Sequence, residues 1–167
     1  MPFSLLPKYQ FRRLTQLTPE FLSGIGVELL MMDFDNTIVP YTTSTPTEEM
    51  EDWLKTMLAS QVKICVVSNS KKGRVRTFCS HYGIACITHA KKPFPKGIRQ
   101  CLKQYGLPAS RCALVGDQIF TDTLGANGCG VRSILVEAID NHNIWLKLRH
   151  VLELPFIFLA RKRRISQ

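Results

Sequence analysis

The sequence predicts a single α/β domain in which a parallel sheet is flanked by helices, and three observations support this. The chain has 167 residues, which is about the size of one domain. Hydrophobic residues make up 45% and charged residues 21%, a composition typical of globular proteins and not of disordered or fibrous ones. Short apolar runs alternate with amphipathic stretches, the pattern of βαβ units.

The individual elements follow this alternation along the chain. A strand is predicted at residues 27–32, and the next helix has Thr45 as its N-cap, Pro46 in its first turn and Glu48 three residues after the cap. Further strands are predicted at residues 62–67, 85–88, 112–115 and 132–136, and further helices at about 75–82, 95–105 and 142–154. The order is that of a Rossmann-like domain covering residues 1–167.

The charge distribution favours an anionic partner. The formal net charge is +9, and the 64 residues between Asp52 and Asp117 contain twelve lysines or arginines and no acid. Such a surface attracts phosphate groups, whether in nucleic acid, anionic lipid or a small phosphorylated substrate. The acids that remain cluster at a few positions, which suggests a cation site facing an anionic substrate.

The lack of a recognisable targeting signal and the spacing of the cysteines predict a cytoplasmic protein. No apolar run approaches the roughly 20 residues of a membrane span, and the first residues do not resemble a signal peptide. None of the six cysteines has the spacing of a metal clip, so we expect reduced core thiols.

Polar side chains follow three of the predicted strands. Asp33, Ser68 and Asp117 each come at the end of an apolar run. Because ligands bind at the carboxyl ends of the strands in a parallel sheet, we expect these three side chains to line one crevice.

The sequence around these residues has a specific order. Asp33-Phe34-Asp35-Asn36-Thr37 is followed by Ser68, by Lys92 before a proline, and by Gly116-Asp117-Gln118-Ile119-Phe120-Thr121-Asp122. This order resembles the haloacid dehalogenase (HAD) superfamily of phosphohydrolases. It is similar to the IIIA-class, YqeG-type members of that superfamily, which are related to phosphatidylglycerophosphate phosphatases. The resemblance implies a HAD-type fold and phosphatase activity.

The chemistry of these residues suits a magnesium-dependent phosphatase. An all-oxygen site favours Mg²⁺, which we expect to be held by Asp33, Asp117 and the backbone carbonyl of Asp35. Asp33 is the predicted nucleophile, which forms an aspartyl-phosphate. Asp35 is the predicted general acid and base.

Five further residues complete the predicted site. Ser68, Asn69 and Lys92 are expected to bind the phosphate, although Asn69 is equally well explained as a turn residue. Lys91 competes with Lys92 for this role, and the family pattern favours the lysine directly before the proline. Asp122 and Thr37 are expected to contact the residues that bind the metal or the phosphate, with Asp122 holding Lys92 or a metal-bound water.

The motif spacing leaves no room for an inserted cap domain, so we expect an open site. Such a site suits a substrate with a large part that does not react. The resemblance implies that the substrate is phosphatidylglycerophosphate, cleaved to phosphatidylglycerol and phosphate at the inner face of a membrane. Terminal segments at about 1–24 and 154–167 combine apolar and basic residues, and they either contact an anionic membrane or pack on the sheet.

Two alternatives remain at this point. The first keeps the chemistry and changes the substrate to a soluble or nucleic-acid phosphate ester. The second is a protein that uses the fold to bind RNA or ribosomes without catalysis. The oligomeric state is not predicted.

Overall fold

The computed structural model describes residues 4–71 and 73–140. Its centre is a six-stranded sheet in the order β1-β6-β5-β2-β3-β4, and every pair of neighbouring strands is parallel. The strands are β1 (Tyr9–Gln10), β2 (Leu29–Met32), β3 (Lys63–Val67), β4 (Ala85–Ile87), β5 (Cys112–Gly116) and β6 (Arg132–Leu135). The helices are α1 (Pro19–Gly24), α2 (Glu48–Ala59), α3 (Gly73–Tyr82), α4 (Lys96–Tyr105) and α5 (Leu124–Gly128).

The connections are short, and none of them forms a second domain. A single helix joins β2 to β3 and β3 to β4, α4 and a short 3₁₀ helix (Ala109–Arg111) join β4 to β5, and a π-helical turn and α5 join β5 to β6. The structure therefore confirms the single uncapped α/β domain. None of the helices in the described residues is long and apolar enough to cross a bilayer.

The start of α2 differs from the prediction. Thr47, and not Thr45, is the N-cap, and its hydroxyl accepts a hydrogen bond from the Met50 N–H at 3.3 Å. Both threonines are good capping residues, so local sequence alone does not separate them. The helix then buries Met50, Trp53, Leu54 and Met57 against the sheet.

The N-terminal segment adds a strand that the sequence did not predict. Residues 9 and 10 pair with Ile134 and Leu135 of β6. Leu14, Leu17 and Leu22 are buried in the core. Within the segment 1–24, these three apolar side chains therefore pack on the protein, while contact of the segment with an anionic membrane stays a prediction. The predicted helix 142–154 and the terminal segment 154–167 lie outside the described residues.

Two apolar layers cover the sheet, one on each face. The larger contains α1, α2 and α3, and the smaller contains α4 and α5. Strand interiors such as Leu29–Met32 are fully buried on both sides, as is typical of a parallel sheet between helices. All strands end at one edge, called here the carboxyl edge, where polar side chains gather.

Candidate active site

Two predicted carboxylates lie at the ends of adjacent central strands. Asp33 directly follows β2, and its N–H donates to the Val115 carbonyl of β5 at 2.9 Å. Asp117 directly follows β5. The Thr37 hydroxyl donates to Asp117 Oδ1 at 3.2 Å, so Thr37 lies beside one of the predicted metal ligands.

Lys92 reaches this pair from the loop after β4. Its side chain is buried, and Nζ lies 2.7 Å from Asp33 Oδ1 and 2.6 Å from Asp122 Oδ1. The Asn69 side chain fixes the loop, because Oδ1 accepts from the Lys92 N–H at 2.7 Å and Nδ2 donates to the Lys92 carbonyl at 2.9 Å. Asn69 thus holds the backbone of the predicted phosphate-binding lysine.

Asp122 is held in place by a π-helical turn, Ile119–Thr123. Its Oδ2 accepts a hydrogen bond from the Gln118 N–H at 3.2 Å, while Oδ1 faces Lys92. A Cβ atom on Gly116 would lie 2.3 Å from the Asp122 carboxylate. Only a glycine at this position therefore allows Asp122 to lie against the end of β5.

Burial and charge act in opposite directions on the two buried partners. Burial alone lowers the pKa of Lys92, but the carboxylates of Asp122 and Asp33 outweigh it and raise that pKa above its ordinary value. Burial raises the pKa of Asp122 to about 6, against the effect of the Lys92 ammonium, which lowers it. Lys92 is therefore a fixed positive charge at neutral pH.

The donor set fits a divalent cation. One oxygen each from Asp33, Asp117 and Asp122 lie within 4.8 Å of one another, and all three residues are buried. When ionised, three carboxylates against one ammonium leave two negative charges in a place with little water. A Mg²⁺ ion matches both this charge and the oxygen chemistry.

Asp35 lies at the mouth of the site and pairs with a residue that the sequence analysis did not select. Its Oδ1 contacts Arg74 Nη2, and both side chains are about 15% exposed. Arg74 also donates to the carbonyls of Pro40 and Thr43 and lies over the Phe34 ring at 5.1 Å from the centroid. The guanidinium thus holds Asp35 together with the loop that follows it.

The remaining predicted residues also lie at the carboxyl edge. Ser68 is buried after β3, and its Oγ accepts from the Ser70 N–H at 3.0 Å. Lys91 is exposed, whereas Lys92 is buried. The structure thus gathers all eight predicted residues at one edge, while their roles remain predictions.

Arg74 and Gly116 are the site residues that sequence reasoning missed. Arg74 is one of twelve basic residues in an acid-free stretch, and nothing local distinguishes it from the others. Gly116 precedes Asp117 in the motif, but its need for a hydrogen side chain depends on a carboxylate six residues later.

A groove of about 560 Å³ opens beside Thr37, the residue whose hydroxyl donates to Asp117. Thr37 and Ile139 line it, and Arg12 and Arg13 line its outer part. Arg13 is paired with Glu49 at 3.2 Å.

Comparisons with known proteins agree with this geometry. A family model described as haloacid dehalogenase-like hydrolase matches residues 8–130. The "Probable phosphatase YqeG" of Bacillus subtilis (strain 168) is 33% identical over 131 residues, which cover 78% of this chain and 76% of the relative.

Solved structures share the fold at low sequence identity. An uncharacterized protein from Listeria monocytogenes serotype 4b matches with a TM-score of 0.57 and 15% identity, over 71% of this chain and 84% of that one. The cobalt-bound deoxy-D-mannose-octulosonate 8-phosphate phosphatase (YrbI) from Haemophilus influenzae matches with a TM-score of 0.54 and 13% identity, over 74% and 75%. At these identities, the likeness concerns the fold alone.

Proposed function

This chain is a phosphatase of the haloacid dehalogenase-like hydrolase family, and we propose that it cleaves phosphatidylglycerophosphate through an aspartyl-phosphate, with Mg²⁺ as cofactor. The observation that carries the chemistry is the convergence of three buried carboxylates and Lys92 at the carboxyl edge. A nucleophile, a fixed positive charge and a cation site then lie within a few ångströms of each other.

A divalent cation at this site would offset the charge repulsion between the substrate and the nucleophile. A phosphate monoester and a carboxylate nucleophile are both anions at neutral pH, so they repel each other. When bound to Asp33, Asp117 and the backbone carbonyl of Asp35, Mg²⁺ supplies the positive charge that offsets this repulsion. Asp122 also offers an oxygen to the same place.

Asp33 and Asp35 divide the bond-making steps between them. An Asp33 oxygen attacks phosphorus, the bond from phosphorus to the alkoxide breaks, and Asp35 gives its proton to that alkoxide. Asp35 then takes a proton from water as the water attacks the phosphorus of the aspartyl-phosphate. The bond from phosphorus to Asp33 breaks, which releases phosphate and restores the carboxylate.

Lys92 and Ser68 stabilise the charge on the transferring group. The Lys92 ammonium is held by Asp33 and Asp122. Two hydrogen bonds between the Asn69 side chain and the Lys92 backbone, called here the Asn69 clasp, hold the loop, so the ammonium is oriented before substrate arrives. Preorganised donors of this kind stabilise a transition state more than mobile ones do. The Ser68 hydroxyl is buried at the same edge and serves as a second donor.

Three features support a lipid substrate. The sequence resembles phosphatidylglycerophosphate phosphatases, the site is open because the domain has no cap, and a groove leads from Thr37 toward Ile139. The substrate's reacting phosphate would lie at Asp33 while its diacylglycerol part stays outside. The product is phosphatidylglycerol, and the protein would act from the cytoplasm at the inner face of a membrane.

The substrate proposal is tested by phosphate release from three classes of ester at equal concentration. We expect phosphatidylglycerophosphate in mixed micelles to be cleaved faster than 5′-phosphorylated oligonucleotides or sugar phosphates. A strong preference for a soluble ester or for a nucleic-acid end would overturn the lipid proposal and leave the phosphatase chemistry intact.

A further inference from the structure

Large apolar side chains are exposed at the same edge as the site. Among the described residues, four stand out: Phe94 (69% exposed), Tyr41 (50%), Ile139 (45%) and Leu58 (43%). Phe94, Tyr41 and Ile139 follow β4, β2 and β6, so all three lie at the carboxyl edge. Leu58 is near the end of α2, which leads back to the start of β3 at the opposite edge.

Tyr41 and Ile139 are tied to the loop that carries the catalytic carboxylates. The Tyr41 N–H donates to Asn36 Oδ1 at 3.0 Å, and the Ile139 N–H donates to the Asn36 carbonyl at 2.9 Å. Both residues are therefore fixed to the neighbour of Asp35 in the chain, and the Tyr41 ring also lies 5.6 Å from the Arg74 guanidinium that pairs with Asp35.

Phe94 is presented by a rigid turn. The Phe94 N–H donates to the Lys91 carbonyl at 2.8 Å, which closes a turn over residues 91–94, called here the Phe94 turn. Lys92, inside this turn, faces inward to Asp33. The Asn69 clasp and the close packing of Gly97 on Ala90 hold the turn in place. An exposed aromatic ring is thus fixed two residues from the phosphate-binding lysine.

The surroundings of Phe94 are basic. Lys91 and Lys96 flank it in sequence and are exposed, and Lys71 is exposed on the loop that Asn69 joins to the Phe94 turn. The sequence contains no acid between Asp52 and Asp117, so none lies on this stretch. An apolar side chain among lysines matches the surface of an anionic bilayer, where the ring enters the headgroup region and the lysines face lipid phosphates.

We propose that the Phe94 turn, with Tyr41 and Ile139, is the surface through which this protein docks on an anionic membrane. The proposal rests on the lipid substrate proposed above and names the surface that delivers it. Docking at this edge places the mouth of the site against the headgroups.

A bilayer fits this surface better than a protein or a nucleic acid does. The three apolar side chains come from three separate loops, and each can enter the headgroup region of a bilayer on its own, whereas a protein interface needs a continuous apolar core. Ile139 has no ring on which a base can stack, whereas aliphatic and aromatic side chains both partition into lipid.

The proposal is tested with the full-length protein by sedimentation with vesicles. Vesicles of phosphatidylcholine alone are compared with vesicles that contain phosphatidylglycerol, for the wild type and for Phe94→Ser, Lys91→Gln, Lys96→Gln and Leu58→Ser. We expect binding only to the anionic vesicles. It should weaken about fivefold for each lysine removed, because each contributes about 1 kcal/mol near such a surface. Phe94→Ser should weaken it at least as much, and Leu58→Ser should not change it.

Activity separates this proposal from the proposed function. All four variants should hydrolyse p-nitrophenyl phosphate at the wild-type rate, while Phe94→Ser should lose rate on phosphatidylglycerophosphate in vesicles. The docking surface would be overturned if the wild type bound neutral and anionic vesicles equally, or if Leu58→Ser weakened vesicle binding as much as Phe94→Ser does. It would also be overturned if the protein bound a single-stranded oligonucleotide through the Phe94 turn more tightly than it binds anionic vesicles. A wild type that binds vesicles but cleaves neither ester would instead contradict the proposed function.

Discussion

Arg74 pairs with Asp35 from the first turn of a different helix, and it keeps that position through contacts that do not involve Asp35. Two backbone carbonyls, of Pro40 and Thr43, accept hydrogen bonds from its guanidinium, and the Phe34 and Tyr41 rings lie beside it. The carboxylate of the predicted general acid is therefore oriented by a fixed cation.

Loss of this cation should impair proton transfer to the leaving group. Arg74→Gln is expected to lower kcat/KM for an alkyl phosphate by about tenfold, a part of the roughly 10²-fold or more that general acid catalysis contributes. p-Nitrophenyl phosphate should be affected much less, because its leaving group needs no proton. Steady-state kinetics on both esters measures the difference.

The matched control is Arg76→Gln on the same helix. Arg76 is exposed, and its guanidinium donates to the Thr88 hydroxyl at 3.4 Å. This variant should behave as the wild type on both esters. If Arg74→Gln slows both esters equally, Arg74 has a general structural role and does not orient Asp35.

Removal of the buried ammonium should destabilise the fold. Lys92→Met leaves the Asp33 and Asp122 carboxylates buried without their positive partner, which typically costs about 3–5 kcal/mol in the free energy of unfolding. Lys91→Met changes an exposed side chain and should stay within about 0.5 kcal/mol of the wild type. Urea unfolding of the two variants in metal-free buffer gives the comparison. Equal stability of both would contradict the buried ion pairs.

The close approach of Asp122 to β5 predicts a narrow tolerance at Gly116. A methyl group there meets the carboxylate at 2.3 Å, so Gly116→Ala should lower the free energy of unfolding by about 1–3 kcal/mol. Gly24→Ala is the control, because a Cβ atom there meets nothing within 4 Å. Thermal unfolding measures both. If Gly116→Ala leaves the free energy of unfolding unchanged, Asp122 does not lie against the end of β5.

Magnesium should stabilise the protein in a manner that depends on pH. Because burial raises the pKa of Asp122 to about 6 in the metal-free protein, protons occupy this carboxylate at pH 5 and leave it at pH 7.5. The rise in Tm on adding Mg²⁺ should therefore be larger at pH 7.5 than at pH 5. Asp117→Asn should reduce it at both values. An equal rise in Tm for this variant would exclude Asp117 as a ligand.

The positions of β2 to β6 along the chain and the location of the site could be predicted because they depend on local patterns. Apolar runs of the right length predicted β2 to β6 within one or two residues at either end, with β4 and β6 each ending one residue early. Asp33, Ser68 and Asp117 were predicted to meet because each follows such a run, and parallel strands end at the same edge.

The remaining features depend on contacts between distant residues. The strand Tyr9–Gln10 exists only through its pairing with β6, and two residues carry no periodic signal of their own. The Asn69 clasp joins residues 23 positions apart, and Arg74 meets Asp35 because α3 begins beside the loop after β2. Sequence patterns describe faces of elements, whereas these contacts follow from how the elements pack.

The central claim is that Asp33 attacks phosphorus with the help of a divalent ion, and Mg²⁺-dependent phosphate release by the wild type and Asp33→Asn tests it most directly. Asp52→Asn, which alters an exposed carboxylate on α2, is the matched control. We predict release by the wild type and Asp52→Asn in Mg²⁺, and none from Asp33→Asn or from chelator-treated wild type, with Asp33→Asn still folded. Full activity in the chelated protein, or turnover by folded Asp33→Asn, would contradict the account.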